Sequence, residues 1–448
     1  MARPRPTPAL VEEALGAPVV KGAPEMLAGF ALGDKLPQVA VFPETPEQVA
    51  ALLALAGREG WAVLPWGGGS GVEVGGAPAR YDVALSLSRL AGVIDFDPEN
   101  LTLTAAAGLT VQEANRRMRP HHHFLPLGLP GDKGTLGGII AANRPVPRRL
   151  LYGEVRDLLL SVRVALPDGR LVRYGRKVIK NVAGYDMNKL FLGSRGVLGV
   201  IVEATFRLYA LPDRERWLVG SFPTVEAAAS AAASLWGSPL QPACLLLLTG
   251  AAPERFRKRQ GLSPPSAAAE LVVGFEGRSE PLRRQEADCR RIFSDHGAPA
   301  CDGVDELTEN AAAVLAARGD AESRDSVRLR VGVPPAEVAA TLAEFGAAAE
   351  TLGMGHTAVA EYSAGAIHLE LADMQGAQLA RVADWVLSLQ ERLRPFRGFV
   401  SLHRASPELK ARMPGWGARE DEAKIMERLV AEINPARAGA PERFLARP

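Results

Sequence analysis

Cysteine is scarce in this sequence: Cys244, Cys289 and Cys301 are the three thiols in 448 residues. They stand far apart with no C-x-x-C pair. That spacing excludes a disulfide scaffold, and any iron–sulfur or structural zinc site built from this chain's own thiolates. Lysine is nearly as rare, with 9 residues against 43 arginines, a compositional bias of some stability value from which no function follows. Neither sign of charge prevails, since 52 basic and 51 acidic side chains leave a formal +1, which argues against a nucleic-acid binder with a basic face. Long apolar runs are missing too. The most apolar stretch, Ala243 to Thr249, has the length of a strand, far below the roughly 18 residues of a membrane helix. Residues 1–20 hold four prolines and no continuous apolar segment, a poor signal peptide, so a cytoplasmic location is expected.

What is plentiful is glycine (45), proline (34) and apolar side chains (47%), over a length that calls for two or three domains. From Pro37 to Pro212 short β-type runs alternate with helical ones. Val39–Phe42 reads as a strand, and Thr45-Pro46-Glu47-Gln48 as the capping box of a helix that buries Val49, Leu52, Leu53 and Ala56 and ends at Gly60. Trp61–Trp66 is the next strand, followed by others at Val83–Leu87, Val93–Phe96 and Leu101–Ala107. Thr110-Val111-Gln112-Glu113 opens a second helix, and Asp168-Gly169 turns a hairpin. A second α+β unit runs from Asp213 to Ser401. In it Pro253–Ala269 reads as a polar loop, with helices at Pro335–Leu352 and Gln378–Leu393. Beyond Pro414 an amphipathic helix presents Ile425, Met426, Leu429, Val430 and Ile433 and stops at Asn434-Pro435. The organisation expected is therefore an N-terminal segment (1–36), a first domain (37–212), a second (213–401) and a closing segment (402–448).

Three glycine clusters carry the chemistry. Gly67-Gly68-Gly69-Ser70-Gly71 follows a strand ending in Pro65-Trp66. Successive small residues can aim several backbone N–H groups at one anion, although taken alone a plain turn is the simpler reading. Pro130-Gly131-Asp132-Lys133-Gly134-Thr135-Leu136-Gly137-Gly138 leads into Ile139-Ile140-Ala141-Ala142-Asn143. Thr135 starts a helix whose first turn is Leu-Gly-Gly, which suits either a ligand at its N-terminus or tight packing on a sheet. The third cluster contains Lys180-Asn181-Val182-Ala183-Gly184-Tyr185-Asp186 and Gly193-Ser194-Arg195-Gly196-Val197-Leu198-Gly199-Val200-Ile201.

In this order the three clusters resemble the p-cresol methylhydroxylase/vanillyl-alcohol oxidase flavoproteins. The Lys180–Asp186 segment, together with Gly153-Glu154-Val155-Arg156-Asp157, looks most like the FAD-binding subunits of bacterial glycolate oxidases. The resemblance is dense over Pro37–Pro212 and thin to Phe399. It implies an α+β fold, with a two-subdomain FAD-binding domain, a ferredoxin-like second domain and a C-terminal segment returning to the first. By the same similarity Gly67–Gly71 and the Gly131–Gly138 segment, with Gly131, Gly134, Thr135, Leu136, Gly137 and Gly138, would wrap the pyrophosphate, and Pro65, Pro130 and Asn143 would also bind the cofactor. Gly193, Ser194, Gly196, Gly199, Val200 and Ile201 would flank the rest of the cofactor. Gly67–Gly75 contains neither His nor Cys, so FAD is expected to be non-covalent.

Lys180 and Arg404 are weak candidates for a catalytic cation. Tyr185 reads as core, and His121-His122-His123 as a loop. Metal-dependent relatives carry a His-x-Gly-Asp-Gly-Asn-x-His run and a later Glu-His-Gly; here Glu361-Tyr362-Ser363-Ala364-Gly365-Ala366-Ile367-His368 and Leu402-His403-Arg404 stand in those places. No metal is therefore expected, and His368 reads as structural. The resemblance implies a subunit of a glycolate oxidase complex, beside a catalytic flavin subunit and an iron–sulfur subunit. It would take part in 2-hydroxy acid oxidation and meet the inner membrane through partners alone. A self-sufficient dehydrogenase of D-lactate or a similar acid, and a scaffold that has lost flavin turnover, are the alternatives.

Overall fold

The computed structural model describes residues 5–16, 20–76, 78–177, 185–265, 267–316, 326–372, 374, 376–413, 420–435 and 443. The first unit holds two sheets. One contains Val20–Lys21, Val39–Val41, Val83–Ser86 and Val63–Trp66 in that order, antiparallel at its first pair and parallel thereafter. The other is antiparallel, in the order Val93–Asp97, Thr102–Ala106, Val200–Arg207, Leu159–Ala165, Leu171–Gly175. The helix Pro46–Glu59 contributes to the core that joins them. Thr45 caps it by accepting a hydrogen bond from Gln48 N, Pro46 needs no partner at the first helical position, and Gly60 ends it at φ 67°. Val49, Leu52, Leu53 and Ala56 are buried, as their spacing requires.

The second unit is one eight-stranded antiparallel sheet in the order Ala300–Val304, Arg214–Phe222, Ala269–Gly277, Cys244–Gly250, His356–Glu361, Ala366–Leu371, Val327–Gly332, Phe399–Arg404. It consists of two copies of a βαββαβ unit, each with the strand order 4-1-3-2 of a ferredoxin-like fold. They meet through their second strands, Cys244–Gly250 and His356–Glu361. The apolar run noted at Ala243–Thr249 is thus the central seam, buried on both faces. Helices Val225–Trp236, Ser279–Asp295, Val338–Leu352 and Leu379–Leu393 bury one face of the double sheet.

The other face is treated differently in the two copies. Over the first copy lie helices Ala252–Gln260 and Glu309–Leu315. The former replaces the first half of the loop expected at Pro253–Ala269: Pro253 sits in its first turn, where its missing N–H costs nothing, and Gly261 closes it at φ 78°. Over the second copy lies the first unit itself. A buried polar cluster fastens the units together. Arg148 ion-pairs with Glu215 (2.8 Å) and Glu276 (2.7 Å), Tyr152 Oη donates to Glu276 Oε2 (2.6 Å), and Cys244 Sγ donates to Pro147 O (2.9 Å).

The C-terminal helix Glu420–Ile433 docks on the first unit by its last turn, where Val430 is buried and Asn434 Nδ2 donates to Val197 O. Its expected apolar face is only partly used, since Ile425 and Met426 are 62% and 41% exposed. Among the described residues no helix is long and apolar enough to cross a membrane.

Candidate active site

A cavity of about 230 Å³ opens where the glycine loops of the first unit face the bare side of the second copy. Its floor begins at the strand Val63–Trp66, which delivers Gly67–Gly71. Gly67 lies against the Thr135 side chain so closely that a Cβ there would stand 2.2 Å from Thr135 Oγ1. Thr135 itself caps the helix Leu136–Ala142, its hydroxyl accepting from Gly138 N. The two glycines of that first turn divide the two readings between them. Gly137 borders the cavity but is buried with room for no Cβ beside Ala107, which is sheet packing, whereas Gly138 is exposed and open to the cavity. The preceding loop is shaped by Asp132, which accepts from Gly134 N at 2.7 Å and pairs with Arg144.

Of the residues expected at the cofactor, Pro65, Gly67–Gly71, Gly134, Thr135, Gly137, Gly138, Gly196, Gly199, Val200 and Ile201 line this one cavity. Pro130, Gly131, Leu136, Asn143, Gly193 and Ser194 do not. Gly131 packs against Glu309 of the second unit, Leu136 is core, and Asn143 ends the helix at φ 42°. Gly193 N donates to Ile140 O, and Ser194 Oγ to Phe191 O.

The far wall was not foreseen. Arg330, on the central strand of the second copy, faces the cavity beside His368, its register partner on the neighbouring strand. His403 is the extra residue of a β-bulge, for Leu402 pairs with Leu329 and Arg404 with Arg328, and the bulge brings it to the same cavity. The two imidazole rings lie 6.4 Å apart between centroids. His368, expected to be structural, is therefore a wall residue. Burial, with Arg330 adding to it, brings its pKa down to about 3. Burial also holds His403 well below the ordinary range, helped by His368, Arg195 and Arg330. Both rings are neutral at any working pH.

Arg195 joins the wall from the first unit at φ 54°, its pKa lowered to about 10 by burial and by Arg330 and Arg443. Among the described residues Arg330 makes no ion pair within 4 Å, and its Nε has no hydrogen-bond partner. Such a wall favours an anion. It repels a divalent cation, and among the described residues no group of three or more His, Cys, Asp or Glu is placed to hold one.

Arg404 is committed elsewhere, ion-paired with Glu73 at 3.0 Å and absent from the cavity lining. Lys180 lies outside the described residues. Tyr185 is 95% exposed, which corrects the expectation of a core aromatic. Arg443, from the closing segment, reaches the cavity while donating to Gly76 O (3.0 Å) and Val74 O (3.1 Å), which ties down the chain leaving the first glycine loop.

Residues 37–175 match the FAD binding domain family, and residues 211–403 the C-terminal domain family of FAD linked oxidases. The chain belongs to the FAD-linked oxidases. The glycine loops leave side-chain-free backbone facing the cavity, Leu64, Trp66, Val72 and Leu87 supply apolar wall, and Arg195 supplies charge, so the residues present fit FAD. FAD is the cofactor of this chain.

Over 264 residues the sequence is 30% identical to a probable mitochondrial D-lactate dehydrogenase of Danio rerio, covering 58% of this chain and 53% of that protein. Over 266 residues it is 29% identical to the glycolate oxidase subunit GlcD of Bacillus subtilis, covering 58% and 56%. The chain thus matches about half the length of these curated relatives. Among solved structures, 4-ethylphenol oxidase from Gulosibacter chungangensis superposes with a TM-score of 0.75 at 14% identity, covering 98% of this chain and 96% of that one. p-Cresol methylhydroxylase gives 0.75 at 14%, with 97% and 95% covered. The fold expected from the glycine clusters is the fold observed.

One consequence concerns Gly67. Gly67→Ala pushes a methyl into Thr135 Oγ1 and forces the first loop away from the helix that Thr135 caps. Flavin content of the purified variant should fall at least about tenfold, a loss of about 1.4 kcal/mol of binding. Flavin is counted in the supernatant after acid precipitation, which also reports whether it is non-covalent. Full flavin content in the variant would show that this contact does not shape the cofactor site.

Proposed function

We propose that this chain oxidises a small 2-hydroxy acid, glycolate or D-lactate, as the FAD-binding subunit of a glycolate oxidase-type complex. The observation that carries the reading is Arg330, a cation without an ion pair among the described residues, facing a cavity beside two neutral imidazoles. A substrate carboxylate would pair with Arg330, the Arg195 charge adding to its hold, and this orients the neighbouring carbon. A neutral imidazole, His403 or His368, is already in the form that accepts the hydroxyl proton. Bound FAD supplies the acceptor for the two electrons and the hydrogen of the C–H bond. The apolar residues Trp66 and Leu87 keep bulk water from the glycine side of the cavity. The lack of clustered cysteines fits an iron–sulfur relay held by a partner, and the likeness to a protein named as a glycolate oxidase subunit supports the assembly.

The test is turnover. Expressed alone and saturated with FAD, the chain should reduce an artificial dye with glycolate or D-lactate at well under about one per second, and faster with its partner subunits. Several turnovers per second without partners would favour the second reading, a self-sufficient dehydrogenase. That reading draws on the complete anion-binding wall within this one chain. A colourless protein that still assembles would leave only a scaffold.

A further inference from the structure

Glu361 ends the seam strand on the same sheet face as His368 and Arg330, yet it lies behind them and does not line the cavity. It is buried at 7% exposure, and its Oε2 has no hydrogen-bond partner. The nearest cation is Arg149 of the first unit, 3.8 Å away and itself ion-paired with Glu154. Arg330 is the second positive charge acting on it. On the adjacent strand Ala366 is its register partner, and His368, two residues on and on the same face, is a neutral ring. Cys244, on the seam's other strand, stays a thiol because burial raises its pKa. Farther off, Arg148 is neutralised by Glu215 and Glu276. A lone carboxylate enclosed in this way is held in its charged form chiefly by Arg330 and Arg149.

We propose that Glu361 takes up one proton from solvent when a carboxylate enters beside Arg330. This rests on the reading of the cavity as a carboxylate site. An incoming anion claims the Arg330 charge and adds a second negative charge to the same enclosed wall, and protonation of Glu361 relieves both effects. The carboxyl is already raised to about 7 by burial, against the pull of Arg149 and Arg330, so little further change converts it. The sign follows. Below about 7 Glu361 is neutral and Arg330 is fully available; above that value the carboxylate competes for Arg330, and anion affinity falls as pH rises. Glu361 is thus a positioning residue that acts through Arg330 and restricts tight anion binding to neutral and acidic conditions.

The test uses the full FAD-loaded chain and oxalate, a carboxylate with no C–H bond to oxidise, read by perturbation of the flavin spectrum from about pH 6 to about pH 9. The affinity should fall by up to about tenfold per pH unit above about 7. Calorimetry near pH 8, in two buffers of different ionisation heat, should report uptake approaching about one proton. In Glu361→Gln the profile should flatten and the uptake vanish. An unchanged slope or persisting uptake in Glu361→Gln would assign the proton to His368 or His403 and overturn the proposal, as would buffer-independent heat in the parent chain. If the variant does not fold, buffer-independent heat in the parent chain still overturns the proposal, and NMR of the ring protons shows whether His368 or His403 titrates instead. Failure of oxalate to bind at any pH overturns the carboxylate reading of the cavity itself, whereas binding with a flat profile overturns only the role of Glu361.

Discussion

Arg330→Gln should lower kcat/KM for glycolate and for D-lactate by about two to three orders of magnitude with flavin content unchanged. The guanidinium sits on a central strand beside two neutral imidazoles and is shielded by burial, so a charge-assisted pair with a carboxylate is screened little by water. Most of the loss should fall on KM, because the carboxylate is held equally in the ground and transition states. A second signature accompanies it. Arg330 contributes to the low pKa of His368, so the variant's imidazole should titrate at a higher pH, visible by NMR of the ring protons. A variant with unaltered KM for both acids would remove Arg330 from the substrate site.

Arg148→Met should destabilise the protein by about 3–5 kcal/mol near neutral pH, because Glu276 and Glu215 are left facing each other without their shared cation. The Glu276 side chain is 1% exposed, and burial raises its pKa above the ordinary carboxylate value. A carboxyl raised in the folded state opposes folding increasingly as pH climbs above its unfolded value. The deficit should therefore widen from about pH 5 to about pH 8 and shrink on acidification, when Glu276 takes up a proton. Urea unfolding at the two pH values measures it. Equal stability of variant and parent at the higher pH would mean that the cluster does not fasten the units.

Local signals in the sequence were legible wherever a few neighbouring residues decide the outcome. Thr45 and Thr110 cap their helices, Gly60 ends one, and Asp168-Gly169 turns the hairpin between Leu159–Ala165 and Leu171–Gly175. Gly67–Gly71 and Gly134–Gly138 also announced a shared site, because side-chain-free backbone in a first helical turn costs stability and calls for a reason. The anion-binding wall was hidden for a different reason. Arg330, His368 and His403 lie on three strands paired by long-range register, and one arginine among 43 carries no compositional signal. The strict alternation Val327-Arg328-Leu329-Arg330-Val331 was the available clue, since period two places both arginines on the face opposite the buried valines and leucine. The helix at Ala252–Gln260 was missed although proline at its start and Gly261 at its end are ordinary helix punctuation. There the polar composition outweighed the caps.

The doubling of the βαββαβ unit has a kinetic consequence. Within each copy the strands pair with one another, Arg214–Phe222 through Ala300–Val304 in the first and Val327–Gly332 through Phe399–Arg404 in the second. The seam between Cys244–Gly250 and His356–Glu361 joins the two copies across a longer stretch of sequence than any pairing within either, so it closes after the copies have condensed. Glu361, already paired with Ala366 inside its own copy, meets Leu246 only on that closure, and the wall of Arg330, His368 and His403 meets the glycine loops only when the first unit docks. On this order of events the anion-binding cavity is the last part of the molecule to assemble during refolding, and its recovery should lag behind that of helical structure.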